Sequence, residues 1–457
     1  MIRKLFILGL GLSGMSLAQY LSKKKIKYCC WDDDPRVRKK AQKEKINLKE
    51  VSHENISNCD YLVLSPGINH LNKNKHLAIM LAKKFKIKVI ADLELLNLLN
   101  FKNSLIGVTG TNGKSTTTSF IEKVLSHNNF LDSKSCGNIG IPFTDLRIKE
   151  DTILVVEASS FQLAKILKLK FKYAFLLNIS NDHIDWHGSM KKYIESKLNI
   201  FKNQDKNCYS IVCIDDKYTK KIAVDFKKKF NSRLICISTK EQKHADIYLK
   251  FNNKKIEIIN FLSNQTIVIP QGCINFTKAK HNFGNLLSAY TASYLLNQKK
   301  EKFIDSIKVL KNLDHRIEFL GNIKKVNFYN DSKSTNVNSA KTALDSFSNI
   351  FWILGGREKK GGLSGIEKNL KNVVKAYPYG ESKNTIKKFL TRYLIDCKNF
   401  ETLEESLTQA LIDAMKTDEY SNIILSPACS SYDQFENFEF RGNQFKKLVK
   451  QKLKKNG

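Results

Sequence analysis

Two glycine-rich segments of this chain have residue types that could bind phosphates. The first, GLGLSG at residues 9–14, follows an apolar strand and has the spacing G-x-G-x-x-G. That spacing brings bare backbone amides and a helix N-terminus against a diphosphate. Asp32 follows a second apolar strand about twenty residues later, as in a Rossmann fingerprint. The segment predicts a nucleotide-like ligand, although a tight strand–helix turn without a ligand has the same pattern.

The second segment, GTNGKST, lies between the strand GVTG and the helix TTTSFIEKVL. It is similar to a P-loop, except that Val108 stands where the first glycine of the full pattern is expected. Backbone amides of such a loop bind phosphates, Lys114 can neutralise β/γ charge, and the Ser115 hydroxyl can bind Mg²⁺. A chance G-K-S in a surface loop is the alternative. The expected ATP contacts are Gly110, Thr111, Asn112, Gly113, Lys114, Ser115 and Thr116.

Carboxylates and a histidine follow two further apolar strands. TILVVEASSFQL places Glu157 beyond an apolar run, and YAFLLNISNDHIDW places Asp182, His183 and Asp185 in the same way. A carboxylate at such a position favours a bound cation. His183 alone would more often be structural, but together with Glu157 and the P-loop it favours a metal site. Lys197 alone has the pattern of a solvated helix lysine.

Short apolar strands alternate with helical segments along the chain, which predicts an α/β fold with parallel sheets. The strands between roughly residues 208 and 274 have a more antiparallel pattern, as in KKIEIINFLSNQTIVIP. Pattern shifts after the helical residues 91–99 and near Asn312 suggest three domains. We place them at residues 1–92, 93–312 and 313–457.

The charge balance is unusual: 77 Lys plus Arg face 44 Asp plus Glu, a net charge of +33. Such a charge raises the possibility of a nucleic-acid or membrane partner. However, arginine, which binds phosphate and guanine bidentately, supplies only nine of these cations, and the lysines are spread along the whole chain. We therefore expect a lysine-rich solvated surface, no nucleic-acid partner and no stable membrane association.

Compartment signals favour the cytoplasm. The ten cysteines form no CxxC motif, which indicates reduced thiols. Gly9, Gly11 and Gly14 interrupt the apolar start of the chain, so a signal peptide is not expected, and no apolar run is long enough for a membrane-spanning helix.

The motifs together resemble those of the ATP-dependent Mur ligases along essentially the whole chain. The matching segments are GTNGKSTTT, EASSFQL, NISNDHIDWHGSMKKYIESK, HNFGNLLSAYTA, LDHRIE and NDSKSTN. The SPGI turn and the C-terminal SPACSSYDQFENFEFRGNQF are most similar to members that add D-glutamate. The resemblance implies a Rossmann-like N-terminal domain for a UDP-substrate, a central P-loop ATPase domain with a mainly parallel sheet, and a Rossmann-like C-terminal domain for the amino acid. It also implies amide formation through an acyl phosphate, using ATP and two Mg²⁺ ions, in a cytoplasmic enzyme that we expect to be monomeric.

Residue roles are implied by position in these motifs. Lys114, His183 and Lys197 would be catalytic, with Lys197 carrying a carbamate. The metal ligands would be Ser115, Glu157, His183 and Lys197. Further ATP contacts would be Asn282, Asn285, Arg316 and Asp331. The UDP-substrate contacts would be Ser13, Asp32, Gly67, Asn138, Ser159 and Gln162. The D-glutamate contacts would be Thr335, Lys359, Ser431, Tyr432 and Phe438, with Lys333 beside them.

Some residues depart from the family pattern. Asp33 and Asp34 stand where some relatives place an arginine near uracil, and Trp186 also replaces an arginine of some relatives. Either Lys359 or Lys360 could reach D-glutamate, and we prefer Lys359. Cys429 is expected to be a small buried residue. The alternatives are another amide ligase similar to folylpolyglutamate synthase, an NAD-dependent oxidoreductase, and a basic nucleic-acid binder.

Overall fold

A computed structural model describes residues 3–69, 76–138, 140–252, 255–274, 276, 280–359 and 361–456. The chain forms two compact units. One contains residues 1–275 and 283–310, and the other contains residues 276–282 and 311–457. The three-domain division at residues 92 and 312 stays a prediction.

The first sheet in the described ranges is fully parallel, and its strands are in the order β2-β1-β3-β4. Residues of β1 alternate between two hydrophobic clusters, with Leu5 and Ile7 on one face and Phe6 and Leu8 on the other. Both faces are therefore covered, as a Rossmann-like sheet requires. Its strands are β1 (Leu5–Leu8), β2 (Tyr28–Trp31), β3 (Tyr61–Leu64) and β4 (Lys88–Ala91).

The second sheet has the order β13-β12-β11-β10-β9-β8-β5-β7-β6. The expectation of antiparallel pairing between roughly residues 208 and 274 is correct for the β11–β12 and β12–β13 pairs and wrong for the β9–β10 and β10–β11 pairs, which are parallel. An apolar parallel strand and an apolar antiparallel strand have the same local composition, so only the connections decide. Its strands are β5 (Leu105–Thr109), β6 (Ser133–Gly137), β7 (Ile153–Glu157), β8 (Tyr173–Leu176), β9 (Tyr209–Cys213), β10 (Arg233–Ser238), β11 (Ile247–Asn252), β12 (Lys255–Asn260) and β13 (Gln265–Ile269).

The third sheet has the order β14-β15-β19-β16-β17-β18 and is parallel except for the β14–β15 pair. Its strands are β14 (Glu318–Ile323), β15 (Val326–Asn330), β16 (Ile350–Gly355), β17 (Val373–Tyr379), β18 (Asp396–Cys397) and β19 (Ser421–Leu425). The expected α/β fold class with mainly parallel sheets is confirmed.

The helices connect the strands of all three sheets. Those of the first unit are α1 (Leu12–Lys23), α2 (Pro35–Lys43), α3 (His53–Ser57), α4 (Leu77–Lys84), α5 (Leu95–Leu98), α6 (Lys114–Ser126), α7 (Ser160–Leu163), α8 (Ile184–His187), α9 (Met190–Leu198), α10 (Lys217–Val224), α11 (Lys280–Leu295) and α12 (Lys300–Ile307). The start of α11 lies in the second unit. The remaining helices are α13 (Val337–Ser346), α14 (Lys383–Thr391), α15 (Leu403–Ala414) and α16 (Phe438–Asn456).

The ten cysteines all fall within the described residues and form no disulfide, as expected. Burial raises the pKa of the Cys429 thiol to about 11, which fits the expected buried structural residue. None of the described helices is long and apolar enough to cross a membrane.

Candidate active site

The loop that joins β5 to α6 presents its backbone amides at the start of the helix. Gly113 has a φ of +82°, and a Cβ added there would lie 2.9 Å from Oδ1 of Asn285, so only glycine fits. Asn178 holds the loop: its Oδ1 accepts from the Asn112 amide at 2.8 Å, and its Nδ2 donates to the Asn112 carbonyl at 3.0 Å. The loop is thus a fixed cradle of the kind that binds phosphate.

Two lysine side chains lie against this loop. Nζ of Lys114 donates to the carbonyls of Gly110 at 3.0 Å and Thr111 at 2.9 Å. Nζ of Lys197, which is 87 residues further along the chain than Gly110, donates to the same Gly110 carbonyl at 2.6 Å. Two lysine side chains therefore lie where phosphates would sit.

Lys197 is buried to 1% exposure. Burial, and then the charge of Lys114, lower the pKa of Lys197 well below its usual range, against the attraction of Asp182 and Glu157. Burial therefore favours the uncharged amine more than it would for an exposed lysine. Only the burial separates this lysine from the many solvated helix lysines of the chain, which is why composition and spacing did not single it out.

Glu157, at the end of β7, is a buried carboxylate at 1% exposure. Its Oε1 accepts from Nδ2 of Asn138 at 3.2 Å. Its Oε2 has no hydrogen-bond partner among the described residues. A buried, unpartnered carboxylate oxygen is a suitable ligand for Mg²⁺.

His183 lies near the same loop. It has a φ of +53° and immediately precedes α8. Its ring packs edge-to-face on Phe161, with centroids 4.8 Å apart, and Nε2 lies 3.4 Å from Oδ2 of Asp182. Tyr193 connects it to the loop: the two rings are 6.5 Å apart, and the Tyr193 hydroxyl is 3.0 Å from Oγ1 of Thr111.

The other two predicted metal ligands, Ser115 and Lys197, lie at the start of α6 and against the loop. Ser115 is buried in the first turn of α6, and Nζ of Lys197 lies 4.8 Å from the centre of the Tyr193 ring. In the described ranges, no three His, Cys, Asp or Glu side chains gather as a metal cluster. The candidate set includes only two of those residue types, Glu157 and His183, together with a hydroxyl and an amine.

The first glycine segment borders a cleft of about 450 Å³ in the first unit. Gly9 has a φ of +92°, and a Cβ on Gly14 would lie 2.1 Å from the Gly9 carbonyl oxygen. The backbone after β1 therefore contacts the backbone of α1 directly. Oδ2 of Asp32 accepts from the Leu10 amide at 2.6 Å. The structure brings four predicted UDP-substrate residues to this cleft: Ser13, Asp32, Gly67 and Asn138.

The two aspartates that depart from the family pattern have different surroundings. Asp33 lines the cleft and lies 3.2 Å from Nε2 of His76. Asp34 instead caps α2, where its side chain accepts from the Arg36 amide. Of these two aspartates, Asp33 is therefore the one placed to face a ligand in the cleft.

Ser159 and Gln162, the other two predicted UDP-substrate residues, are outside the cleft lining and form a capping box at the start of α7. Gln162 is buried, and its Nε2 donates to Oδ1 of Asp92 at 2.9 Å. Asp92 lines a small second cavity that shares Ser13 and Gly137 with the cleft. Ser159 and Gln162 are thus connected to the cleft through Asp92, which Gln162 contacts and which lines the adjoining cavity.

The predicted ATP contacts beyond the loop lie in both units. Oδ1 of Asn285 accepts from Oγ1 of Thr117 at 2.9 Å, directly beside the loop. Asn282, in the second unit, donates to Oδ1 of Asn312 at 3.2 Å. Asp331 follows β15 and accepts from Oγ of Ser426 at 2.8 Å.

Burial raises the pKa of Asp331 to about 7, and its hydrogen bonds and the nearby Arg316 charge oppose that rise. The carboxyl group is therefore poised to change protonation near neutral pH. A bound ligand could select either form.

The predicted D-glutamate residues follow the carboxyl ends of three neighbouring strands of the second unit. Thr335 follows β15, Lys359 follows β16, and Ser431 with the exposed Tyr432 follows β19. Phe438 begins α16, and Nζ of Lys333 lies 4.5 Å from its ring centre. Ligands of open parallel sheets bind at this edge. Lys360 lies outside the described residues, so the choice between Lys359 and Lys360 stays a prediction.

Sequence reasoning missed a buried arginine beneath this edge. Arg441 has 0% exposure, and its guanidinium donates to Ser332, Gly355 and Cys429, which follow or end the same three strands. It therefore ties the three loops together. The scarcity of arginine in the chain was the signal that could have drawn attention to it.

Two family models match the chain. The Mur ligase middle domain matches residues 108–293, and the Mur ligase MurD-like N-terminal domain matches residues 3–91. Among curated proteins, the UDP-N-acetylmuramoylalanine–D-glutamate ligase of Rickettsia prowazekii is 35% identical over 98% of each chain. The enzyme of the same name from Caulobacter vibrioides is 31% identical over 97% of this chain and 94% of its own.

Solved structures share the fold. The UDP-N-acetylmuramate–alanine ligase MurC of Thermotoga maritima superposes with a TM-score of 0.61 at 14% identity, covering 99% of this chain and all of its own. The MurF ligase of Thermotoga maritima in complex with ADP superposes with a TM-score of 0.57 at 15% identity, covering 88% and 98%. At these identities the likeness establishes the fold alone.

Proposed function

The chain belongs to the Mur ligase family, and we propose that it joins D-glutamate to UDP-N-acetylmuramoyl-L-alanine with hydrolysis of ATP. The observation that carries this proposal is the 35% identity, over nearly the full length of both chains, to a ligase with that name. An oxidoreductase would leave the P-loop, Glu157 and His183 without a role. The family uses ATP. A nucleic-acid partner is not needed to explain the basic composition, because the lysines are spread along the whole chain.

The domain roles follow from where the candidate residues lie. Residues 1–92 line the cleft together with Asn138 of the central domain, and would bind the uridine diphosphate part of the substrate. Residues 93–312 would bind ATP at the loop, and residues 313–457 would supply Arg316, Asp331 and the D-glutamate contacts. We propose a cytoplasmic monomer.

Three steps form the amide bond in this mechanism. The alanyl carboxylate attacks the γ-phosphorus of ATP and displaces ADP, which gives an acyl phosphate. The amine of D-glutamate attacks the acyl carbon, and the tetrahedral intermediate loses phosphate and a proton to leave the amide. Lys114, held over the loop, would stabilise the charge on the transferring phosphoryl group.

The residues near the loop include suitable magnesium ligands. Glu157 has an unpartnered carboxylate oxygen, and Ser115, His183 and Lys197 would supply the other expected ligands. Bound Mg²⁺, in two ions by this proposal, would offset repulsion between the substrate carboxylate and the γ-phosphate. The neutral amine of Lys197 is the form that adds CO₂, so its burial supports the expected carbamate.

Phosphate release tests the function. With ATP, Mg²⁺ and UDP-N-acetylmuramoyl-L-alanine, phosphate should be released only when D-glutamate is added, and L-glutamate should not replace it. Lys114→Ala serves as the inactive control. Turnover without D-glutamate, or a preference for L-glutamate, contradicts the proposal.

A further inference from the structure

His187 is a buried histidine for which the reaction above provides no role. It ends α8 and has 1% exposure. One ring nitrogen, Nε2, lies 3.0 Å from Oγ of Ser160 in α7. The other ring nitrogen, Nδ1, lies 3.2 Å from Oγ of Ser196 in α9. The ring therefore joins α7 to α9, which is the helix that contains Lys197.

The hydrogen bonds of the two serines determine which ring nitrogen donates. The hydroxyl of Ser196 donates to the Lys192 carbonyl at 2.8 Å, so its oxygen is left to accept from the Nδ1–H of His187. In the neutral ring, Nε2 is then the acceptor for the Ser160 hydroxyl. Both nitrogens of the buried ring therefore have partners, as buried polar groups require.

Aromatic side chains fix the orientation of the same ring. His187 stacks on Phe161, with the two ring planes 13° apart and the centroids 5.7 Å apart. The centroid of the Tyr193 ring, which belongs to α9, lies 5.2 Å from that of His187. A phenyl ring at position 187 could keep these stacking contacts but would lose both hydrogen bonds. Packing and hydrogen bonding by His187 can therefore be separated by experiment.

Helix α9 brings Lys197 to the phosphate loop. Nζ of Lys197 donates to the Gly110 carbonyl at 2.6 Å and lies 4.8 Å from the centre of the Tyr193 ring. The Tyr193 hydroxyl holds one side of the helix to the loop, 3.0 Å from Oγ1 of Thr111. Ser196, which immediately precedes Lys197, holds another side through His187. Without that second attachment, α9 could turn about the first and carry the amine away from the loop.

We propose that His187 is a positioning residue for Lys197: by binding Ser160 and Ser196 at once, it fixes α9 so that the Lys197 amine stays on the Gly110 carbonyl. The inference rests on the proposed function for what Lys197 does in the reaction, whereas the position of Lys197 can be measured without turnover. His187 itself need not touch ATP or the UDP-substrate.

Chemical labelling of the full-length protein measures how well the Lys197 amine is held. The protein is treated with the N-hydroxysuccinimide ester of acetic acid, and the acetylation rate of each lysine is measured by peptide mass spectrometry. Lys192, which is exposed on the same helix, is the internal reference. The variants are His187→Phe, Ser196→Ala and the double variant. His244→Phe makes the same change at an exposed histidine and is the matched control.

Steady-state kinetics of the same variants measure the consequence for the reaction. The kcat and the KM of UDP-N-acetylmuramoyl-L-alanine come from phosphate release, and the Kd of ADP comes from calorimetry. Thermal unfolding shows that each variant is folded. If His187→Phe does not fold, Ser196→Ala is the smaller change that tests the same contact.

We expect His187→Phe to raise the acetylation rate of Lys197, relative to Lys192, at least about 5-fold, because local opening of α9 exposes the amine. The kcat should fall about 10- to 100-fold, as expected when a reacting group is misplaced by about 1 Å. The KM of the UDP-substrate and the Kd of ADP should stay within about twofold of the wild type. Ser196→Ala should change the acetylation rate and kcat in the same directions, and should add little to His187→Phe.

An unchanged acetylation rate of Lys197 in His187→Phe would overturn the proposal. So would a full additional effect of Ser196→Ala in the His187→Phe background, because His187 would then act without Ser196. Changes in KM and in the Kd of ADP as large as the change in kcat would also overturn it, since they indicate a general structural role. A wild type without D-glutamate-dependent turnover contradicts the proposed function instead, and the labelling still decides whether His187 positions Lys197.

Discussion

Replacing Lys165 by methionine should make the protein more stable. The pKa of the ammonium group falls from 10.5 to about 8 on folding because the side chain is buried. That difference corresponds to about 3 kcal/mol of destabilisation when the group is charged. Methionine has a similar length, no charge and a flexible chain that fits irregular space. We therefore expect the free energy of unfolding to rise by about 3 kcal/mol at pH 7.

The gain should depend on pH in a defined window. Below about pH 8, Lys165 holds its proton in the folded and unfolded states, so the full penalty of burying the charge is present. Between about pH 8 and 10.5, the folded protein has released the proton while the unfolded chain still binds it, so the penalty shrinks as pH rises. The stability difference between Lys165→Met and the wild type should therefore narrow over that window.

Scanning calorimetry at pH 7 and near pH 10 measures the effect. For a cooperative unit of roughly 300 residues, about 3 kcal/mol corresponds to an increase in Tm of about 5 °C at pH 7. Lys168→Met should change Tm by no more than about 1 °C at either pH, because its side chain is exposed. A lower Tm for Lys165→Met at pH 7, or a difference that stays constant up to pH 10, would refute the account of Lys165 as a buried charge whose desolvation outweighs its attraction to Asp92.

Three further outcomes are expected. Lys197→Ala should lower kcat by at least about 10³-fold, with partial recovery when a short carboxylate is supplied in solution; no recovery, together with activity insensitive to CO₂ depletion, would argue against a carbamate. Lys114→Ala should lose ATP turnover yet keep its Kd for the UDP-substrate by calorimetry, because the cleft does not include Lys114; parallel loss of both would contradict separate sites. Without ligands, the second unit should lose stability as pH rises from about 4 to about 7, because burial raises the pKa of Asp331 to about 7 and the folded state holds the proton more tightly there. Denaturation of Asp331→Asn should lack this slope, and an unchanged slope would assign it to other groups.

The site was predictable where its chemistry depends on short segments. The loop at residues 110–113 needs glycine at a left-handed position and a lysine at the helix start. Both requirements can be recognised from neighbouring residues of the sequence. Glu157 was also predictable, because a carboxylate directly after an apolar strand favours a bound cation. Lys197, by contrast, was identified only through the resemblance, because nothing in its own helix distinguishes it from a solvated lysine.

Pairing directions were harder to predict than strands. Antiparallel pairing was expected between roughly residues 208 and 274; the β11–β12 and β12–β13 pairs are antiparallel, but the β9–β10 and β10–β11 pairs are parallel. Parallel and antiparallel partners offer similar apolar surfaces to a strand. The crossover connections decide between them, and they are a property of the assembled chain.

The sequence alone therefore determined the family motifs, the α/β class and the two glycine loops, because each depends on neighbouring residues or on regular spacing. Only the tertiary structure decided which charges are buried and what they face. It placed Lys197 on the Gly110 carbonyl, Lys165 in the interior beside the Trp186 ring, and Arg441 beneath three strand ends. The physical reason is that desolvation and Coulomb attraction depend on distance in space, and the groups that bury a given lysine or arginine come from segments far from it in the chain.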